Sequence, residues 1–424
     1  MTTISRRLFA GLSIAAVAGT ATACGRSESG GDAKSAEPIA EGKATGELTV
    51  WAMGAEGEKL PELLKGFQEE NPDCKVSVTA VPWDSAHDKF TSAIAAGTAP
   101  DVAQVGSTWM SEFVGLKALQ PVPEEIDLSG FFEGAQKSVT VEDVKYGVPW
   151  YVETRVVYYR KDLAEAAGIT EAPTDWDTYK TMVKALKDNG AAWGTALQPG
   201  GKGSWESVMP FVWSNGGSVI SEDLSEFTFE SDENTEALAF YQSFFTEGLA
   251  NKAPAEGTTE QDFVSGAAPM FISGPWMMSG VEKLGGDGFA DKYGVFQIPK
   301  KESSTSFLGG ANLGVFDSTK NRDAAWKLVQ YLAEPEVQAQ WFTISTDLPA
   351  VEKAWDDESV GGNEKFDVFH EQLKSAIAPP AVGTWEQVIT KFDDQVEQVC
   401  KEGLDPAQAL KTAQADATSI GMGA

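Results

Sequence analysis

Apolar and polar positions over residues 46–110 switch between the period of a strand and that of a helix. Leu48-Thr49-Val50-Trp51 reads as a buried strand. Leu60, Leu63, Leu64 and Phe67 then mark one face of a helix over Glu56 to Glu70, which Asn71-Pro72-Asp73 ends. Val76, Val78 and Ala80 alternate as a second strand, Asp84 is placed to cap a helix carrying Phe90 and Ile94, and Asp101 to Val105 reads as a third strand. Strands alternating with helices predict an α/β lobe on a parallel sheet. Further helical stripes cover Thr235 to Phe245, Asp323 to Leu332 (after a strand at Leu313 to Phe316) and a region from Phe366 onward. No internal repeat is visible.

In such sheets ligands bind beyond the carboxyl ends of the strands, which selects the loops Ala52 to Glu58, Trp83-Asp84 and Gly106 to Trp109. Glu56, Asp84, Thr108 and Trp109 are the candidates these loops supply. At 424 residues the chain exceeds what one core usually organises, so two lobes are expected. Its net charge of −30 repels phosphates and anionic surfaces, which makes nucleic acid a poor partner.

The first residues change the expected compartment. Arg6-Arg7, an apolar run from Leu8 to Gly19 and small residues before Cys24 read as a signal peptide over residues 1–23, with Ser5-Arg6-Arg7-Leu8-Phe9 also similar to a twin-arginine signal. Cys24 followed by a Ser/Gly-rich run to Thr45 resembles a lipoprotein signal with its tether over 24–45, which makes Cys24 the expected site of lipidation. Ordinary cleavage that leaves a spare thiol is the alternative. No later stretch is apolar for long enough to span a bilayer as a helix, so membrane attachment is expected through the lipid only. Cys74 and Cys400 could pair in an oxidising compartment or remain buried thiols.

Four segments in order carry a resemblance. Tyr146-Gly-Val-Pro-Trp-Tyr-Val-Glu-Thr-Arg-Val-Val-Tyr-Tyr-Arg-Lys-Asp162, Phe271-Ile-Ser-Gly-Pro-Trp276, Phe307-Leu-Gly-Gly-Ala-Asn-Leu-Gly314 and Gly383-Thr-Trp-Glu386 resemble the extracellular solute-binding proteins of carbohydrate ABC importers, the maltose-binding-protein-like family. The resemblance covers nearly all of residues 46–420. It implies a two-lobed α/β fold with the ligand cleft between the lobes, lobe 1 spanning 46–153 plus 307–350 and lobe 2 spanning 154–306 plus 351–424. It implies a monomeric binding protein, not an enzyme, with a small-molecule carbohydrate and the importer's permease subunits as partners and no cofactor or metal.

A sugar presents an apolar face and a rim of hydroxyls, so its site calls for aromatic platforms beside groups that donate and accept hydrogen bonds. By resemblance Trp276 and Trp385 fall at stacking positions, Trp205 at an aromatic beside the acid Glu206, and Glu153 at a carboxylate that accepts from hydroxyls. Core packing remains the alternative for the tryptophans. Arg155 could donate to the ligand or close a hinge salt bridge with Glu153. Asn312 could read a hydroxyl, or the glycines before it could serve only a tight crossover. Thr108-Trp109 stands where the maltodextrin-binding member has an acidic-basic pair, which points to another sugar. An exported glycoside hydrolase, needing two carboxylates about 5–9.5 Å apart, or a binder of a non-sugar solute is the competing reading. Against them, no nucleophile elbow or phosphate loop is present, and the chain's two histidines, His87 and His370, are expected on helix surfaces.

Overall fold

The computed structural model describes residues 37–255 and 257–423. Its strands are β1 (Gly46–Met53), β2 (Cys74–Val81), β3 (Val102–Gly106), β4 (Thr140–Val141), β5 (Val144–Lys145), β6 (Val148–Thr154), β7 (Val156–Arg160), β8 (Met270–Ser273), β9 (Tyr293–Phe296), β10 (Ser306–Val315), β11 (Leu348–Pro349) and β12 (Ala376–Ile377). One sheet runs β11-β6-β10-β3-β1-β2 with β12 added beside β10, and a second runs β8-β7-β9.

The expected parallel sheet is present only in part. β1 pairs parallel with β2 and β3, whereas β10 is antiparallel to both β3 and β6. The strands that return from the other lobe enter in the opposite direction, a pairing that the local pattern of residues 46–110 does not contain. β3 is buried along its whole length, while β2, with one strand neighbour, exposes alternate residues. The helix Gly54–Glu70 buries the expected stripe of Leu60, Leu63, Leu64 and Phe67. The second helix begins at Trp83 with Pro82 at the cap position, two residues earlier than expected, so Asp84 lies in its first turn and its side chain caps nothing.

Two passages of chain link the sheets. β6 ends at Thr154 and β7 starts at Val156, so Arg155 alone separates a strand of the large sheet from the middle strand of the small one. The Ser306 hydroxyl at the start of β10 donates to the Arg155 carbonyl at 2.7 Å, which pins the second passage to the first. The helix Glu364–Leu373 touches β6, β7, β9 and β10. Its Gln372 accepts from the Ile298 amide at 2.8 Å and donates to the Ser304 carbonyl at 3.1 Å. The short turn Glu352–Asp356 packs on the helix Pro335–Ser345.

Stacked aromatics fill the interior. Trp150 and Trp341 lie 4.7 Å apart behind the large sheet, and Trp176 and Phe240 lie 4.3 Å apart in the second lobe. Cys74 and Cys400 belong to different cores, and among the described residues both are buried thiols without a disulfide. The expected signal peptide, Cys24 and most of the tether lie outside the described residues. Among the described residues no helix is long and apolar enough to cross a membrane.

Candidate functional site

The end of β1 and the start of the helix Gly54–Glu70 bring Glu56 to the mouth of the large sheet. A relay holds it there: the Met53 amide donates to Gln104 Oε1 at 2.6 Å, Gln104 Nε2 donates to the Tyr151 hydroxyl at 2.9 Å, and that hydroxyl donates to Glu56 Oε1 at 3.1 Å. Burial raises the Glu56 pKa, and the hydrogen bond from Tyr151 partly offsets it. Trp83 lies across Gly54, where an added Cβ would sit 2.7 Å from the indole, and the ring is 40% exposed. Trp109 backs it edge-on at 5.9 Å and is itself buried against His87, Phe90 and Phe113. Asp347 neighbours Glu56; burial first and the Glu56 charge second push its carboxyl up to about 8, and its Oδ2 closes no hydrogen bond among the described residues.

Arg155, at the passage between the sheets, meets carboxylates on both sides. Its Nη2 donates to Glu153 Oε1 at 3.2 Å and to Glu206 Oε2. The guanidinium also lies 4.7 Å from the centre of the Trp276 ring and 5.7 Å from that of Phe307. Burial pushes Glu153 up to about 7 against the pull of Arg155, with the Glu206 and Glu56 charges adding to the rise. Glu153 Oε2 and Arg155 Nε are buried without hydrogen-bond partners among the described residues. Gly309 leaves room for this carboxylate, since a Cβ there would fall 2.7 Å from Glu153 Oε1. Gly310 takes φ +128° where a Cβ would meet the Tyr151 carbonyl at 2.2 Å, so the glycine pair does serve a close crossover.

Trp276 projects from the turn before the helix Met277–Gly285, its ring folded over Gly274, and it is 38% exposed. The Tyr158 hydroxyl fixes that turn by donating to the Gly274 carbonyl at 2.7 Å. On the other side of Arg155, Glu206 opens the helix Trp205–Ser214 from a loop that wraps one buried carboxylate. Gly203 N and Trp205 N donate to Asp393 at 2.7 and 2.8 Å, and Ser204 Oγ donates at 2.8 Å. Burial still pushes Asp393 up to about 7 despite these donors. Glu386 completes the rim; burial raises its pKa, while the Thr108 hydroxyl and His87 from the first lobe favour its charged form. His87 in turn is raised mainly by its 2.7 Å bond to Glu112. Behind Arg155 and Glu206 a cavity of about 610 Å³ runs past Ser273 and Met277 towards Trp193 and Lys401.

Of the residues selected from sequence, Glu56, Glu153, Arg155, Thr108 and Trp276 belong to one connected rim, with Trp109 as backing. Asp84 is exposed and makes no hydrogen bond among the described residues. Trp385 is fully buried and Trp205 nearly so, packed edge-on at 5.4 Å, so both are core residues and not platforms. Asn312 is buried in β10 and bonds Ser138, away from any cleft. His87 and His370 are not bare surface residues: His87 pairs with Glu112, and His370 stacks on Trp355 at 4.5 Å. Sequence reasoning chose Asp84 over Trp83 in the selected loop Trp83-Asp84 and Trp385 over its neighbour Glu386, and it missed Asp347 and Asp393. Trp83 could have been found from its place directly after β2, beside the selected Asp84; no local pattern marks Asp347 or Asp393, whose surroundings come from distant segments.

The profile of the bacterial extracellular solute-binding proteins matches residues 52–339. The chain belongs to that family. A putative binding protein of Brucella abortus is 28% identical to this solute-binding protein over 387 residues, covering 88% of this chain and 92% of the relative. The galactooligosaccharide-binding protein of Bacillus subtilis is 26% identical over 413 residues, covering 94% and 93%. The solved structure of the sugar-binding protein MalE from Xanthomonas citri superposes with a TM-score of 0.80 at 28% identity, over 88% of this chain and 97% of that one. The fold is that of the two-lobed binding proteins, and the homologues are binding proteins and not enzymes.

Proposed function

We propose that this protein captures a mono- or oligosaccharide outside the cell and delivers it to the permease subunits of an ABC importer, acting as a monomer tethered through a lipid on Cys24. The observation that carries this reading is a polar rim of Glu56, Glu153, Arg155 and Glu206 that carries two half-open rings, Trp83 beside Glu56 and Trp276 beside Arg155. Tryptophan faces suit the C–H face of a sugar, and carboxylates with open acceptor oxygens suit its hydroxyls. The names of the Bacillus and Xanthomonas relatives point to the same class of ligand. Arg155 is the one residue between β6 of the large sheet and β7 of the small one, so a ligand that engages its partners bears directly on the angle between the lobes.

The test is tryptophan fluorescence and thermal shift against mono-, di- and trisaccharides, including α-glucosides, β-glucosides and xylo-oligosaccharides, with product analysis of each tube. A saturable response without hydrolysis supports a binding protein and names its ligand. Hydrolysis products would replace this reading with that of a glycoside hydrolase, and silence across the panel would turn it towards a non-sugar solute. Mass measurement of the membrane-extracted N-terminal peptide tests acylation of Cys24.

A further inference from the structure

The cleft carries more negative charge than its cations balance. Glu153 and Glu206 share one guanidinium, Arg155, and Glu56, itself a neighbour of Asp347, adds its charge to Glu153. Lys59 is the other cation acting on this group, and only weakly, on Glu56 and Asp347. Glu386 meets the cluster through the Glu206 charge and is faced by His87 and Lys202. Among the described residues two acceptor oxygens of the cluster close no hydrogen bond: Glu153 Oε2, and Oδ2 of Asp347, a residue only 5% exposed that the Trp341 indole faces. Buried acceptors without partners cost free energy that a fitting donor would recover.

We infer that the preferred ligand is an amino sugar, whose protonated amine sits among Glu56, Glu153 and Asp347 while its ring lies between Trp83 and Trp276. This rests on the sugar-binding reading above and narrows it. An ammonium supplies three donors and one positive charge, which answers both the orphaned oxygens and the charge excess; a hydroxyl supplies one donor and no charge. The tryptophan faces favour a cation nearby as well. In the empty cleft protons retained by the raised carboxyls of Glu153 and Asp347 take the cation's place, so binding the amine displaces them to solvent.

Matched pairs test it: glucosamine with glucose, galactosamine with galactose, and the β-1,4 and α-1,4 disaccharides of glucosamine with their neutral parents, plus each N-acetyl form. Calorimetry on the full-length protein at pH 6.5, in two buffers of different ionisation enthalpy, reads affinity and proton release together. The expected result is an amine that binds at least about tenfold tighter than its neutral parent, as a charged hydrogen bond exceeds a neutral one. N-acetylation should remove that advantage, and the amine should release more protons than the neutral sugar. In Glu153→Gln, and independently in Glu56→Gln should the first fold poorly, the ratio of amino to neutral affinity should fall towards one. A neutral or N-acetyl sugar that matches or beats the amine in every pair overturns this inference and leaves sugar binding standing. No response to any member of any pair overturns this inference, and silence across the wider sugar panel as well overturns sugar binding itself.

Discussion

Arg155 gives the sharpest test of how the two lobes are joined. Replacing it with Met keeps the length of the stem and removes the charge that Glu153 and Glu206 share, together with the guanidinium 4.7 Å from the Trp276 ring. Arg155 and Glu153 side chains are each only 13% exposed, so the carboxylates left behind cannot be rescued fully by water. Loss of one partner from a buried pair costs about 3–5 kcal/mol, against about 0–1 for an exposed one. Arg155→Met should therefore lose about 3–5 kcal/mol at pH 8, read as a lower urea midpoint by far-UV dichroism. The loss should shrink at pH 5, because Glu153, raised to about 7, is by then protonated and needs no counter-charge. In a double-mutant cycle with Glu153→Gln the two losses should fall short of additivity by about 0.5–3 kcal/mol. A loss below about 1 kcal/mol at pH 8, or strict additivity, would show that Arg155 is a solvated ion pair and that the hinge is held by backbone pairing alone.

The tryptophans should divide by location. Trp385→Ala, which empties a fully buried site, should cost about 3–5 kcal/mol in chemical denaturation. Trp83→Ala and Trp276→Ala should each cost much less stability and weaken sugar binding at least severalfold by calorimetry; the opposite split would place the platforms elsewhere. Glu153, Asp347 and Asp393 carry carboxyls raised to about 7, 8 and 7, above their unfolded values near 4. Over that interval the folded chain holds protons that the unfolded chain has lost, so stability is greater at low pH and falls as pH rises through 7–8. The melting temperature should accordingly be higher at pH 5.5 than at pH 8.5, and the Asp347→Asn variant should flatten that slope.

What the sequence determined by itself is local. The apolar stripe of the helix Gly54–Glu70, the buried Leu48 and Val50 of β1 (with Thr49 between them exposed) and the burst of glycines before Asn312 each follow from neighbours within a few residues, and the linear pattern records them. The same holds for Glu153 and Arg155, which one short segment places at the passage between the sheets. Tertiary structure alone decided which aromatics are platforms. Trp385 and Trp276 both precede or open a helix after a glycine-containing turn, yet one is enclosed by Trp205 and the second core while the other is left open over Gly274. It also decided the acid cluster: Glu56 and Asp347 lie almost three hundred residues apart in sequence and become neighbours only once the strands from the second lobe return antiparallel into the first sheet. Burial and partner charge set what a carboxylate does, and neither is a property of its own stretch of chain.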